Sequence, residues 1–469
     1  MAQMVSKGLI EMDADQYYIV TYFGSFIGFD VSTKQLKQFR YTGAESLLEN
    51  NAATLYGAKF PAIYGRGGHR VDGSKILDVE LVGDPADGVV GLRSSRGFLG
   101  AAAENDIFDD KQELGSWEKF RLVSRRELDD LHVIATCKWI SKPSGDYYED
   151  CRLSFGREFV VNLGNLSLSF DKPFRVFRDP ANPDGMPREF IAFYDDWKIG
   201  RFIRYNPLVY LVAYGAERIF KMLQISLNSL AEFGKYGGDI AVITDKTKEE
   251  VAPYIPRAFD GRWYVVHEPA HDFVGFCKAR YQISRWEYAS SYQPILYTDT
   301  DVIFDSPTDP ILAKLLLAGK FAAQREGTRP LATSDSVGAS LLSEDKCVVG
   351  DRKGFNSGII CIPNASDFNE AMLAISECID RYARARGRQS LGWFDQAIAN
   401  YVTFKLCEVD VDILDLHTRW GGRDALHGGV YPRGFVHLWG GKDKVSQMQE
   451  LTESLKGASR QGVAGWTYF

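Results

Sequence analysis

The chain has 469 residues, 45% of them apolar and 25% charged, enough for two or three soluble domains with sizeable cores. Its 55 Lys and Arg against 62 Asp and Glu leave a net charge of −7 with no long basic run, which removes electrostatic support for a nucleic-acid partner. No apolar stretch approaches the roughly 20 residues of a membrane span, and Met1-Ala-Gln-Met-Val-Ser-Lys-Gly8 has neither an apolar core nor a cleavage pattern, so no signal peptide is expected. The seven cysteines (Cys137, Cys151, Cys277, Cys347, Cys361, Cys378, Cys407) are scattered, odd in number and free of CxxC pairs. That usage argues against a disulfide framework or zinc ribbon and for a reducing, cytoplasmic setting.

Residues 1–178 read as an all-β domain. Short apolar bursts alternate with Gly, Asp, Asn and Ser: Tyr17–Phe23, Phe26–Phe29, Val89–Leu92, Phe98–Gly100, Phe120–Val123, Val133–Cys137 and Phe159–Leu163. Runs this short, with turn residues between them, favour strands over helices. Val90-Gly-Leu-Arg-Ser-Ser-Arg-Gly-Phe-Leu-Gly-Ala101, followed by Gly115-Ser-Trp-Glu-Lys-Phe-Arg-Leu-Val123, resembles one lobe of a fascin-like β-trefoil. That resemblance implies an accessory domain for binding glycan or protein; the alternative is another small barrel or sandwich. The Pro-bearing stretch from Arg178 to Pro187 reads as a linker, and 179–205 as the connection between domains.

From 206 to 469 the pattern is α/β. Leu208–Ala213, Asp239–Asp245 and Trp263–His267 are continuous apolar runs suited to buried parallel strands. Helical spacing is expected over Ile219–Phe233, from Lys278 to about Ser290, and over Phe368–Tyr382 and Phe394–Phe404. Residues 324–354 are polar and read as a long loop, functional or disordered. Strand–helix alternation predicts a mainly parallel sheet, whose ligands sit beyond the carboxyl ends of the strands.

Ile295-Leu-Tyr-Thr-Asp299-Thr-Asp301-Val-Ile-Phe304 sets two carboxylates at the end of such a run. In an extended chain their side chains point the same way, and a divalent cation would relieve their repulsion and bind phosphate oxygens. The bland alternative is a pair of turn-forming acids. His437 would turn the pair into a mixed N/O site suited to Mn²⁺, with Mg²⁺ as the alternative; the bland reading is a packed histidine. Gly440 and Gly441 would let backbone approach a phosphate, and Lys442 or Lys444 would neutralise it. Phe355-Asn356-Ser357-Gly358 reads as polar groups at a strand entrance or as a capped turn. Asp395-Gln396 reads as a polar pair or as helix-start chemistry.

Taken in order, Tyr210-Leu-Val-Ala-Tyr-Gly215, Ser226-Leu-Asn-Ser-Leu230, Ala241-Val-Ile-Thr-Asp245, Lys278-Ala-Arg280, Leu296-Tyr-Thr-Asp-Thr-Asp-Val302, Phe355–Gly358, Asp395-Gln396 and His437-x-x-Gly440 resemble family 8 retaining nucleotide-sugar glycosyltransferases, of the glycogenin and bacterial galactosyltransferase type. The resemblance spans about 206–446. It implies a GT-A fold and transfer of a hexose, glucose or galactose, from a UDP-sugar to an acceptor hydroxyl on a glycan, protein or small molecule. It implies Asp299, Asp301 and His437 as ligands of Mn²⁺, and Ala213, Tyr214 and Asp245 around the uridine. Arg280 or Lys278, with Gly440 and Lys442, would approach the donor's phosphates or sugar. Asn356 and Ser357 would line the donor-sugar pocket, Asp395 would hold sugar hydroxyls, and Gln396 would lie near the anomeric carbon. The family's lysine falls six residues after its histidine, where this chain has Asp443. Two rival readings are a nucleotidyltransferase and a non-catalytic glycan- or protein-binding protein with a degenerate transferase domain.

Overall fold

A computed structural model describes residues 16–30, 32–40, 53–56, 62–65, 74–84, 89–102, 106–142, 153–155, 160–163, 166–169, 174–180, 182–193, 199–387, 395–421, 433–439 and 443–460. The chain divides into two compact units, one of Met1–Arg178 with Met186–Arg204, the other of Asp179–Gly185 with Tyr205–Phe469.

The first unit is antiparallel and β-rich. Gln16–Thr21 pairs with Lys119–Val123, Phe26–Asp30 with Gln35–Phe39, and Val90–Arg93 with Lys119–Val123. Ile19, Ile27, Leu55, Leu92, Leu99 and Phe120 form its core. The burst at Val133–Cys137, expected as a strand, instead closes a helix, Arg125–Thr136. Ser124 and Glu127 form a capping box at its start, and Leu128, Leu131 and Ile134 recur at helical spacing on its buried face. Glu189–Phe193 and Ile199–Arg204, within the segment expected as a connection, are strands between Phe174–Phe177 and Trp139–Lys142.

The second unit is α/β around a seven-stranded mixed sheet. Its strand order is Trp263–His267, Asp239–Thr244, Leu208–Val212, Ile295–Thr298, Lys353–Ile362, Phe321–Pro330, Val409–Asp410. The first four are parallel, and Lys353–Ile362 runs antiparallel to both neighbours. The parallel strands beside the centre are buried runs, which is why their sequences do not alternate. Helices Ala365–Arg386 and Gln396–Leu406 pack on this sheet through Phe368, Ile375, Ile398 and Val402. A second, three-stranded sheet orders Val302–Phe304, Phe435–His437 and Thr418–Trp420. Met222, on helix Glu217–Glu232, and Met448, on helix Lys444–Arg460, pack against it.

Two expectations change here. The helix predicted from Lys278 to Ser290 is a seven-residue helix, Phe273–Ala279, capped by Asp272, followed by two single 3₁₀ turns. The stretch 324–354 is not a long loop: strand Phe321–Pro330, a 3₁₀ turn at Asp335–Val337 and helix Ala339–Glu344 occupy most of it. Its polar composition hid a strand that pairs along Lys353–Ile362. Among the described residues no helix is long and apolar enough to cross a membrane.

Candidate metal and donor site

The strand Ile295–Thr298 ends one residue before Asp299, and Asp299-Thr300-Asp301 is the turn into Val302–Phe304. The two carboxylates therefore converge through a turn rather than along an extended strand. That turn is pinned on both sides. Asp299 N donates to Gly358 O at 2.7 Å, and Leu438 N donates to Asp301 O at 3.0 Å. Because Phe435–His437 runs back along Val302–Phe304, His437 lies opposite Val302 and next to the pair. His437 Nε2 is 3.5 Å from Asp301 Oδ1 and 3.9 Å from Asp299 Oδ2.

Asp299, Asp301 and His437 are, among the described residues, the one group with the makings of a metal centre, their ligand atoms lying within 4.8 Å of one another. Three observations fit a cation there. His437 Nδ1 lies 2.8 Å from Gln324 Oε1. The carboxamide oxygen accepts, so the ring proton sits on Nδ1 and the Nε2 lone pair faces the carboxylates, as in metal-bound histidines. Asp301 Oδ1 is buried and has no hydrogen-bond partner among the described residues. A side chain at Gly358 would overlap His437 Cε1 and stand 2.8 Å from Asp299 Oδ2, so the backbone closes one wall of the cradle. One imidazole and two carboxylates make a mixed nitrogen and oxygen donor set that suits a divalent cation.

The electrostatics divide the pair. Burial holds the Asp299 carboxyl above its ordinary value; Arg280 pulls it down, and the like charge of Asp301 pushes it up. Burial acts the same way on Asp301, but His437, when its ring also carries a proton on Nε2, and Lys444 outweigh it and bring its pKa down to about 2. Lys444, from the first turn of helix Lys444–Arg460, forms an ion pair with Asp301 Oδ2.

Beside this centre lies a buried polar chain. Arg280 Nη1 donates to Ser357 O at 3.0 Å and to Ser357 Oγ at 3.1 Å. The same guanidinium lies 3.5 Å from Asp395 Oδ2 and 3.6 Å from Asp299 Oδ1. Burial opposes the Arg280 charge, but Asp395, Tyr297 and Asp299 outweigh it and hold its pKa well above the ordinary value. The Tyr281 and Tyr297 hydroxyls donate to Asp395 Oδ2 and Asp299 Oδ1. Asp395 is fully buried, and its Oδ1 has no hydrogen-bond partner among the described residues. Asn356 Nδ2 donates to Gln396 Oε1 at 2.9 Å and to Glu326 Oε2 at 3.0 Å, and Gln396 Nε2 donates to Ser336 O at 2.9 Å.

Asp299, Asp301, His437, Arg280, Asn356, Ser357, Asp395 and Gln396 are thus joined by direct contacts, or contacts through one neighbour. Ala213, Tyr214 and Asp245 follow the ends of strands Leu208–Val212 and Asp239–Thr244, at the same carboxyl edge. Tyr214 donates to Glu268 O at 2.7 Å, and Asp245 is exposed. Lys278 is turned elsewhere, its Nζ 2.6 Å from Asp380 Oδ2 on helix Ala365–Arg386. Gly440 and Lys442 lie outside the described residues. Gln324, Glu326, Tyr281 and Tyr297 belong to the site without having been picked out in the sequence. A glutamine or tyrosine inside an apolar strand has no local mark. Tyr281, directly after Arg280, had adjacency as its only signal.

No protein-family model matches the chain, and no curated protein matches it. Solved structures with some likeness include galactosyltransferase LgtC in complex with donor and acceptor sugar analogues, at 16% identity over 53% of this chain and 95% of that one, TM-score 0.37. Another is the apo bifunctional glycosyltransferase WbbM, at 14% identity over 54% of this chain and 49% of that one, TM-score 0.37. The apo form of glycosyltransferase GlyE from Streptococcus pneumoniae TIGR4 follows at 13% identity over 55% and 64%, TM-score 0.35. At these values the likeness by itself assigns neither fold nor function.

Proposed function

We propose that this chain is a retaining glycosyltransferase of GT-A type that moves a hexose, glucose or galactose, from a UDP-sugar to an acceptor hydroxyl on a glycan, protein or small molecule. Residues 206–469 carry the reaction, and the β-rich unit, trefoil-like in type, is accessory. The observation that carries the reading is the Asp299–Asp301–His437 centre at the carboxyl edge of the sheet, its imidazole aimed by Gln324. When bound, Mn²⁺ supplies positive charge to the diphosphate as it leaves.

The chain's own residues hold the donor. Arg280, fixed between Asp395, Asp299 and Ser357, presents a permanent positive charge beside the centre. Asp395, anchored through Oδ2 by Tyr281, has Oδ1 unpartnered among the described residues and offers it to a sugar hydroxyl. Gln396 is locked by Asn356 and Ser336, so its amide is preorganised rather than swinging. Asp395, held by Tyr281 and Arg280 through Oδ2, is read as a binder of sugar hydroxyls rather than as the nucleophile, and the acceptor hydroxyl attacks on the face that UDP leaves.

Incubation with Mn²⁺ and a panel of UDP-sugars is expected to release UDP in an EDTA-sensitive manner. Asp301→Asn should lower turnover at least 100-fold while keeping the far-UV spectrum. Silence with every UDP-sugar, or full activity in Asp301→Asn, removes this reading.

A further inference from the structure

Two tryptophans stand beside the centre that neither the cores nor the donor reading uses. Trp420 ends the strand Thr418–Trp420, which runs parallel to Phe435–His437 with Trp420 opposite His437. Its indole lies flat against the His437 imidazole, ring centroids 5.3 Å apart and planes 22° apart. Trp439, two residues beyond His437, meets Trp420 at 6.2 Å and 72°. Trp420 is 38% and Trp439 59% exposed, while His437 beneath them is 1% exposed.

The backbone under this corner is fixed. Gly421 N donates to His437 O at 2.7 Å, and Leu438 N donates to Asp301 O at 3.0 Å. Gly421 packs so closely that a Cβ would overlap the Leu438 side chain. Indoles are normally among the most buried side chains, and their faces carry large apolar area with a polar N–H at the edge. Here two are held open with their planes 72° apart, Trp420 at the end of a strand and Trp439 in the turn beyond one, and Trp420 rests on a candidate metal ligand. A pyranose ring has matching chemistry: an apolar C–H face to lie on an indole, and rim hydroxyls to reach the polar centre.

The corner lies on the flank of Asp299 away from the candidate uridine positions. Ala213, Tyr214 and Asp245 follow the strands on one side of Ile295–Thr298, whereas His437 joins Gln324, on the strand two places beyond it on the other side. Tyr214 is already stacked on Phe276 at 5.0 Å and 20°. We propose that Trp420 and Trp439 form the acceptor subsite, and that the acceptor is a glycoside whose hexose ring stacks on them. The proposal rests on the glycosyltransferase reading of the adjoining centre and names its acceptor class.

The test measures binding to the full chain without donor. Saturation-transfer NMR and titration with methyl glucoside, methyl galactoside, maltose and lactose should show at least one of these sugars binding the unsubstituted protein. Trp439→Ala should raise its Kd at least tenfold, about 1.4 kcal/mol, and Trp420→Ala with Trp439→Ala should abolish binding. Trp439→Phe, which keeps an aromatic face, should retain most of it and guards against a folding artefact. UDP affinity, read in parallel, separates the two halves of the site. No glycoside binding to the unsubstituted protein, equal binding by the double variant, or loss of UDP affinity in Trp439→Ala would each overturn the proposal. Absence of UDP-sugar turnover would instead remove the transferase reading, which these titrations do not measure.

Discussion

His437 acts at the residue scale only because of partners that lie far from it in sequence. Gln324, 113 positions earlier, fixes which ring nitrogen carries the proton, and Gly358 leaves the space the imidazole fills. The glycine matters for its missing Cβ, not for backbone freedom: any side chain would meet His437, Asp299 Oδ2 at 2.8 Å and Asn356 Oδ1 at 2.9 Å. Gly358→Ala is therefore expected to push the imidazole away from the carboxylates. Calorimetric titration with Mn²⁺ should show affinity falling at least tenfold, in the range found when groups supporting a metal ligand are lost. Unchanged affinity would mean that the cation is held elsewhere.

Among elements, the helix Gln396–Leu406 and the strand Lys353–Ile362 must stay in register for the polar pocket to exist. Asp395 and Gln396 open the helix, while Asn356 and Ser357 sit in the strand. Asn400, fully buried, stitches the two together. Its Oδ1 accepts from Phe355 N at 2.8 Å, and its Nδ2 donates to Phe355 O at 2.8 Å and to Gln396 O at 2.9 Å. Asn400→Leu keeps the branched heavy-atom outline, with bulkier methyl groups, but leaves Phe355 N–H without that partner and removes the side-chain donor to both carbonyls. The expected cost is about 2 kcal/mol, since a buried group left unsatisfied pays its full desolvation penalty. Urea unfolding should show a lower midpoint. Because the register of Gln396 against Asn356 loosens, kcat should fall more than KM rises; a stability loss with intact kcat would separate the helix from the chemistry.

At the scale of the α/β unit, buried core residues lie on the five inner strands of the seven-stranded sheet, and two cysteines report on that core. Burial, followed by the charge of Asp395, pushes the Cys277 thiol up to about 12, and burial pushes Cys361 higher still. A thiol reacts as thiolate, so at pH 8 both should resist iodoacetamide in the folded protein and label only as the unit unfolds. Peptide mapping after a short pulse checks this; rapid labelling of Cys361 under native conditions would mean the sheet opens far below global unfolding. The sequence by itself determined the strands with continuous apolar runs and the helix–strand alternation, because burial on both faces and i, i+3, i+4 spacing leave local marks; the eight polar residues that lie together at the edge were named through the family resemblance and not through any periodicity. It misplaced Val133–Cys137, where the deciding signal was the Ser124–Glu127 capping box upstream, and it took the 324–354 stretch for a loop because a half-polar strand lacks a continuous apolar run. Only the tertiary structure decided that Asp299 and Asp301 meet through a turn, that Lys278 faces Asp380, and that Gln324, Tyr281 and Tyr297 complete the site. Those outcomes depend on which distant segments pack together, and one residue's identity carries no record of the neighbour it will find across a sheet.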